Sequence, residues 1–151
     1  MAKCPTILLV EDDPNDVLLV RMAFQRSSAG IPITVATNGQ EAVQYLRGEG
    51  VYANRNQHPF PDLLLLDLKM PLMDGFQVLR WIRAQPVIKR LPVIVLTSSL
   101  RDSDARLAYE EGANSFISKP TDFNQLVHML KSLGDFWLGG SKLPEAAPEA
   151  N

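Results

Sequence analysis

The chain has 151 residues, 46% of them hydrophobic, which is the size and composition of one packed globular domain. Its 15 basic and 17 acidic residues are intermixed and leave a net charge of −2, which excludes nucleic-acid or anionic-membrane binding driven by bulk charge. The single cysteine, Cys4, excludes disulfides within the chain and multi-cysteine metal sites, and points to a reducing compartment, the cytoplasm.

The N-terminal "MAKCPTILLVEDD" carries too short an apolar stretch for a signal peptide, and acids follow it directly. No later run approaches the roughly 20 apolar residues needed to cross a bilayer, so a soluble protein is expected. In chain order, "TILLV" (6–10), "IPITVA" (31–36), "LLLLD" (63–67), "PVIVLT" (92–97) and "SFISK" (115–119) read as strands. They are continuously apolar rather than alternating, the pattern of strands covered on both faces of a parallel sheet. Between them run segments of helical period. Asp13-Pro14 offers an N-cap and a proline at the first helical position before "NDVLLVRMAFQR". Asn38 caps "GQEAVQYLR", Asp74 caps "GFQVLRWIRAQ", and Asp102 or Ser103 caps "DARLAYEEG" with Gly112 at its C-cap. Asp122 caps a last helix reaching about Leu138. The fold expected is α/β, a doubly wound five-stranded parallel sheet, flavodoxin-like, in the order 2-1-3-4-5. Residues 5–138 form this domain, 48–61 a long polar connection, and 139–151 a tail that does not fold.

Ligands of such sheets bind at the carboxyl ends of the strands, where strand order reverses. The first strand ends in Glu11, Asp12 and Asp13, the third in Asp67, the fourth in Thr97 and Ser98, and the fifth in Lys119. In the order 2-1-3-4-5, Asp12, Asp13 and Asp67 converge while Thr97 and Lys119 approach from the other side. Packed carboxylates repel and push at least one pKa upward. A hard divalent cation such as Mg²⁺ relieves that repulsion. A carboxylate is also a competent nucleophile toward a phosphoryl group, whose oxygens Lys119 and Thr97 could then hold. Singly, each residue has a plainer role: Asp13 as a helix cap, Lys119 as a solvated lysine, Thr97 as a strand residue. Their conjunction at four strand ends favours the chemical reading.

"ILLVEDDPND", "LLLLDLKMPLMDG", "VIVLTSS" and "SFISKP", in this order and spacing, resemble the receiver domain of two-component response regulators. The resemblance implies that Asp67 is the phosphoacceptor, Asp13 a direct Mg²⁺ ligand, Asp12 a ligand through water, and the Lys69 backbone carbonyl a further ligand. It makes Thr97 the hydroxyl switch, Lys119 the phosphoryl-binding lysine, Phe116 the aromatic that moves with Thr97, and Lys119-Pro120 a cis peptide. Lys69 and Ser99 flank the water approach and would tune dephosphorylation. The implied partners are a sensor histidine kinase and a downstream protein reached through the fourth helix, fifth strand and fifth helix. The long loop and the ending "LGDFWLGG" are similar to single-domain regulators paired with phytochrome-type kinases. Phe136, Trp137 and Leu138 lie beyond the last helix's core stripe, and a homodimer is expected through them. His58 and His128 have no partner motif and read as packing or solvated residues. Three other readings compete. A haloacid-dehalogenase-type phosphatase needs a second acid two residues after the nucleophile, where Lys69 stands. A receiver-fold adaptor would work without phosphorylation. A flavodoxin-like cofactor binder is disfavoured by the acidic "EDDPND" loop.

Overall fold

The computed structural model describes residues 5–27 and 31–140. The expected tail therefore lies mostly outside the described residues. Five strands and five helices alternate: β1 (Ile7–Val10), α1 (Pro14–Ser27), β2 (Ile33–Ala36), α2 (Gly39–Arg47), β3 (Leu63–Leu66), α3 (Gly75–Ala84), β4 (Val93–Thr97), α4 (Asp102–Glu110), β5 (Ser115–Ser118) and α5 (Phe123–Gly134). All strand pairs are parallel, and the sheet order is 2-1-3-4-5. The expected α/β architecture is what forms.

Strand composition explains the order. β1, β3 and β4 are buried along their whole length, as central strands under two helical layers must be, while β2 and β5 are half-buried edges. Successive residues of the central strands face opposite layers. Leu8, Val10, Leu64, Leu66 and Val93 pack with Ala42, Leu46, Val78, Leu79 and Ile82 of α2 and α3. Ile7, Leu9, Leu63, Leu65, Ile94 and Leu96 pack with Val20, Ala23 and Phe24 of α1 and Leu126, Leu130 and Leu133 of α5. Each buried leucine contributes about 2 kcal/mol, and this double core fixes the strand register that aligns the strand ends.

Besides Asp13 at the start of α1, three of the expected caps are present. The Asn38 side chain accepts from Glu41 N–H, Asp122 accepts from Gln125 N–H, and Asp74 forms a reciprocal capping box with Gln77. At α4 the expectation fails. The residue preceding the helix is Arg101, which makes no side-chain cap bond, and the C-cap is Glu111. Gly112 follows it with φ of +106°, a left-handed residue just past the C-cap, so the helix ends one position earlier than expected. The α4 start is held instead by Ser99, whose hydroxyl donates to Asp104 Oδ2 at 2.6 Å and accepts from Arg101 N–H at 3.2 Å.

The connection 48–61 is more organised than its polarity suggests. It contains a 3-10 turn, Gly50–Ala53, and is stapled by Arg55, which donates to the carbonyls of Tyr45, Leu46 and His58. Two of these are carbonyls of the last turn of α2, so the guanidinium closes that helix. His58 packs edge-on against Tyr45 and Tyr52, the packing role expected of it, and His128 is exposed. Beyond α5 the chain continues in a π-helical stretch, Asp135–Gly140, which takes the last helix past Leu138. Every peptide bond among the described residues is trans, Lys119–Pro120 included, contrary to the cis bond implied by resemblance. An X–Pro bond prefers trans by only about 0.5–1 kcal/mol, so sequence alone does not decide the isomer.

Candidate functional site

The register of β1 on β3 pairs Val10 with Leu66, so the next residues, Glu11 and Asp67, come side by side as the strands leave the sheet. Two backbone bonds keep them there: Asp67 N–H donates to Val10 O at 3.0 Å, and Glu11 N–H donates to Ala36 O at 3.0 Å. Asp67 is 9% exposed, and its Oδ1 accepts from Leu68 N–H at 2.8 Å. One carboxylate oxygen from each of Glu11, Asp12 and Asp67 lies within 4.8 Å of the other two. Three hard oxygen donors this close suit a divalent cation of the Mg²⁺ or Mn²⁺ type, which would relieve their mutual repulsion.

The third carboxylate expected here, Asp13, is elsewhere. Its Oδ1 accepts from Asn15 N–H at 2.8 Å while its carbonyl receives Val17 N–H, so Asp13 is the N-cap of α1. Glu11, still in line with the strand, takes the place assigned to it. The register of β1 on β3 is what singles out Glu11, because the residue opposite Asp67 is the one that follows Val10, and the continuously apolar β1 carries no sequence signal for it.

Burial pushes the Glu11 carboxyl up to about 7, against the opposing pull of a hydrogen bond and the positive charge of Lys119. Lys119 Nζ donates to Glu11 Oε1 and, at 3.1 Å, to Asp16 Oδ2 in the first turn of α1. Burial would lower the Lys119 pKa, but the Glu11 bond and the nearby Asp67 and Glu11 charges win, and it is raised. Lys119 thus sits in the site, bonded to α1 and β1 rather than to Asp67.

Thr97, 1% exposed, ends β4, and its Oγ1 accepts from Ser99 N–H at 3.3 Å. Its carbonyl accepts Lys119 N–H at 2.7 Å, which ties the ends of β4 and β5. Phe116, half-buried on β5, packs with Leu68, Val95, Ala108 and Phe76 under α4. An open cleft of about 490 Å³ adjoins the cluster through Asp12 and is otherwise lined by Leu68, Lys69, Met70, Asp74, Phe76, Arg101 and Asp104. The β3–α3 turn can reach it because Gly75 lets α3 start against the Asp67 carbonyl, where a Cβ would come within 2.2 Å. The structure therefore brings together Glu11, Asp12, Asp67 and Lys119, with Thr97 at the next strand end and Lys69 on the cleft wall.

Comparisons with known proteins agree with this geometry. The family model described as "Response regulator receiver domain" matches residues 7–131. "Response regulator Rcp1" of Synechocystis is 36% identical over 140 residues, covering 93% of each chain. The solved structure of the phosphorylated cyanobacterial phytochrome response regulator RcpA superposes with a TM-score of 0.87 at 38% identity, over 95% of this chain and all of that one. The Mn²⁺-bound form of Rcp1 superposes with a TM-score of 0.82 at 35% identity, over 93% and 99%. No helix among the described residues is long and apolar enough to cross a membrane. Matched by that family model over residues 7–131 and by these relatives over nearly its whole length, the chain belongs to the response regulator receiver domain family and is a response regulator of two-component signalling.

Proposed function

We propose that Asp67 accepts a phosphoryl group from the phosphohistidine of a sensor kinase. The carrying observation is the nearly buried Asp67 carboxylate held in register with Glu11 and clustered with Asp12. An Asp67 oxygen forms the new bond to phosphorus as the phosphorus–nitrogen bond of the donor breaks, and the donor imidazole leaves. Glu11, Asp12 and Asp67, with the Lys69 backbone carbonyl, would hold Mg²⁺, whose charge neutralises that gathering on the phosphoryl oxygens. Lys119 and the Thr97 hydroxyl bond the remaining oxygens. Engaging Thr97 draws the end of β4 inward, and Phe116 follows through its packing under α4. Lys69 and Ser99 border the path of the hydrolytic water and tune the lifetime of the aspartyl phosphate. The chain thus catalyses its own phosphorylation and dephosphorylation without being a turnover enzyme.

The α4–β5–α5 face is the output surface in this reading, and two copies pair through it in the cytoplasm. Phe136 supports the pairing: it is 60% exposed, while its neighbours Trp137 and Leu138 are partly buried against the core. Kinship with RcpA supports a phytochrome-type kinase as partner.

Incubation with acetyl phosphate and Mg²⁺, followed by intact mass, tests the core of the proposal. Wild type should gain a single phosphoryl adduct that requires Mg²⁺ and is absent from Asp67→Asn. A wild type that forms neither an adduct nor a beryllofluoride complex would leave the adaptor reading in its place.

A further inference from the structure

Lys119 has a partner that the chemistry above does not require. Its ammonium is bonded to two carboxylates, Glu11 and Asp16, and they differ in kind. Glu11 is shared with the acidic cluster around Asp67, whereas Asp16, among the described residues, lies outside that cluster and is joined to the site through Lys119. Asp16 stands in the first turn of α1, where the helix N-terminus favours a negative charge and keeps the carboxylate in place. The Lys119 backbone is pinned by its N–H bond to Thr97 O, and its side chain is only 14% exposed. The ammonium can therefore neither withdraw into water nor follow a moving backbone. Its choices are side-chain rotations between acceptors on β1, on α1 and on Asp67.

We propose that Asp16 is a positioning residue that parks the Lys119 ammonium on α1, and so sets how readily Lys119 engages a phosphoryl group on Asp67. The inference rests on the reading of Asp67 as phosphoacceptor. The carboxylate acts in two ways in the same direction: it occupies one of the three ammonium protons, and its charge opposes arrival of another anion nearby. An asparagine keeps the size and one acceptor oxygen but removes the charge.

The test is titration of the full chain with beryllium fluoride in the presence of Mg²⁺, a phosphoryl mimic that reports binding rather than turnover. Asp16→Asn should bind it about three- to tenfold more tightly than wild type, the discount for a half-exposed carboxylate included. Asp16→Glu should stay within about twofold of wild type, since the charge is restored. In a Lys119→Met background the gain from Asp16→Asn should vanish, because the two residues act through one contact. Damage to α1 could only weaken binding, so tightening separates positioning from a structural role. Unchanged or weaker binding by Asp16→Asn overturns the inference, as does a gain that persists without Lys119. A wild type that takes no beryllium fluoride overturns the phosphoacceptor reading and this inference with it, whereas a binding wild type with an indifferent variant overturns the inference alone.

Discussion

Asp13 keeps the N-cap role expected of it, while Glu11 rather than Asp13 stands with Asp12 and Asp67, and substitution can separate the two. Asp13→Ala should destabilise the fold by about 1 kcal/mol, the worth of a lost N-cap, while leaving Mg²⁺ affinity within about twofold. Glu11→Gln and Asp12→Asn should each weaken Mg²⁺ binding about tenfold or more, since each removes a carboxylate from the cluster. Denaturant melts and Mg²⁺ titrations of the three variants decide it, and an Asp13→Ala loss of cation binding equal to that of Asp12→Asn would restore Asp13 to the site. Glu11 also gives the metal-free chain a pH signature. Its folded pKa is about 7 against an ordinary 4.5, raised chiefly by burial, so the folded state binds more protons than the unfolded state between those values. The contribution is fully present below pH 4.5 and is lost as pH rises through 7, about 3 kcal/mol in all. Unfolding measured in chelator from pH 5 to 8 should show that decline, and Glu11→Gln should flatten it. A profile as steep in the variant would locate the titration elsewhere.

Among the elements, the junction of β3 and α3 is the most constrained. Gly75 N–H donates to Leu68 O at 2.9 Å, and an added Cβ would stand 2.2 Å from the Asp67 carbonyl and 2.8 Å from the Leu68 Cα. Those neighbours are backbone and cannot rotate away. Gly75→Ala should therefore cost about 3 kcal/mol in a denaturant melt and displace the Asp67 carbonyl. A cost below about 1 kcal/mol would show that the helix start can slide. The "MDG" that closes the third-strand motif was legible as a turn and cap, but the need for Gly at that point was not, because it comes from the approach of two backbones. The α4 start shows the opposite limit. Asp102 and Ser103 have the chemistry of a cap, yet the Ser99–Asp104 bond from the β4 loop does that work, and only the packed strand end puts Ser99 within reach.

For the whole molecule, the sheet divides the apolar residues into an α2–α3 layer and an α1–α5 layer, and Phe136 emerges at the edge of the second. If copies pair through this region, Phe136→Asp should convert a dimer to a monomer in sedimentation velocity at micromolar concentration, with little change in melting, because a 60% exposed ring contributes little to the monomer core. A wild type that sediments as a monomer before and after phosphorylation would remove the pairing from the proposal.

The five apolar runs and the residues at their ends were enough to establish the doubly wound sheet and to gather Asp67, Thr97 and Lys119 at one edge, because a parallel sheet buried on both faces admits few arrangements of such strands. Which carboxylate stands opposite Asp67, where the Lys119 ammonium rests, how Arg55 closes α2 and which isomer precedes Pro120 were decided by the tertiary structure alone. Each depends on register or on a contact between segments far apart in the chain, and the pairing of Val10 with Leu66 illustrates it: shift that register by one residue and Asp12, not Glu11, would face Asp67.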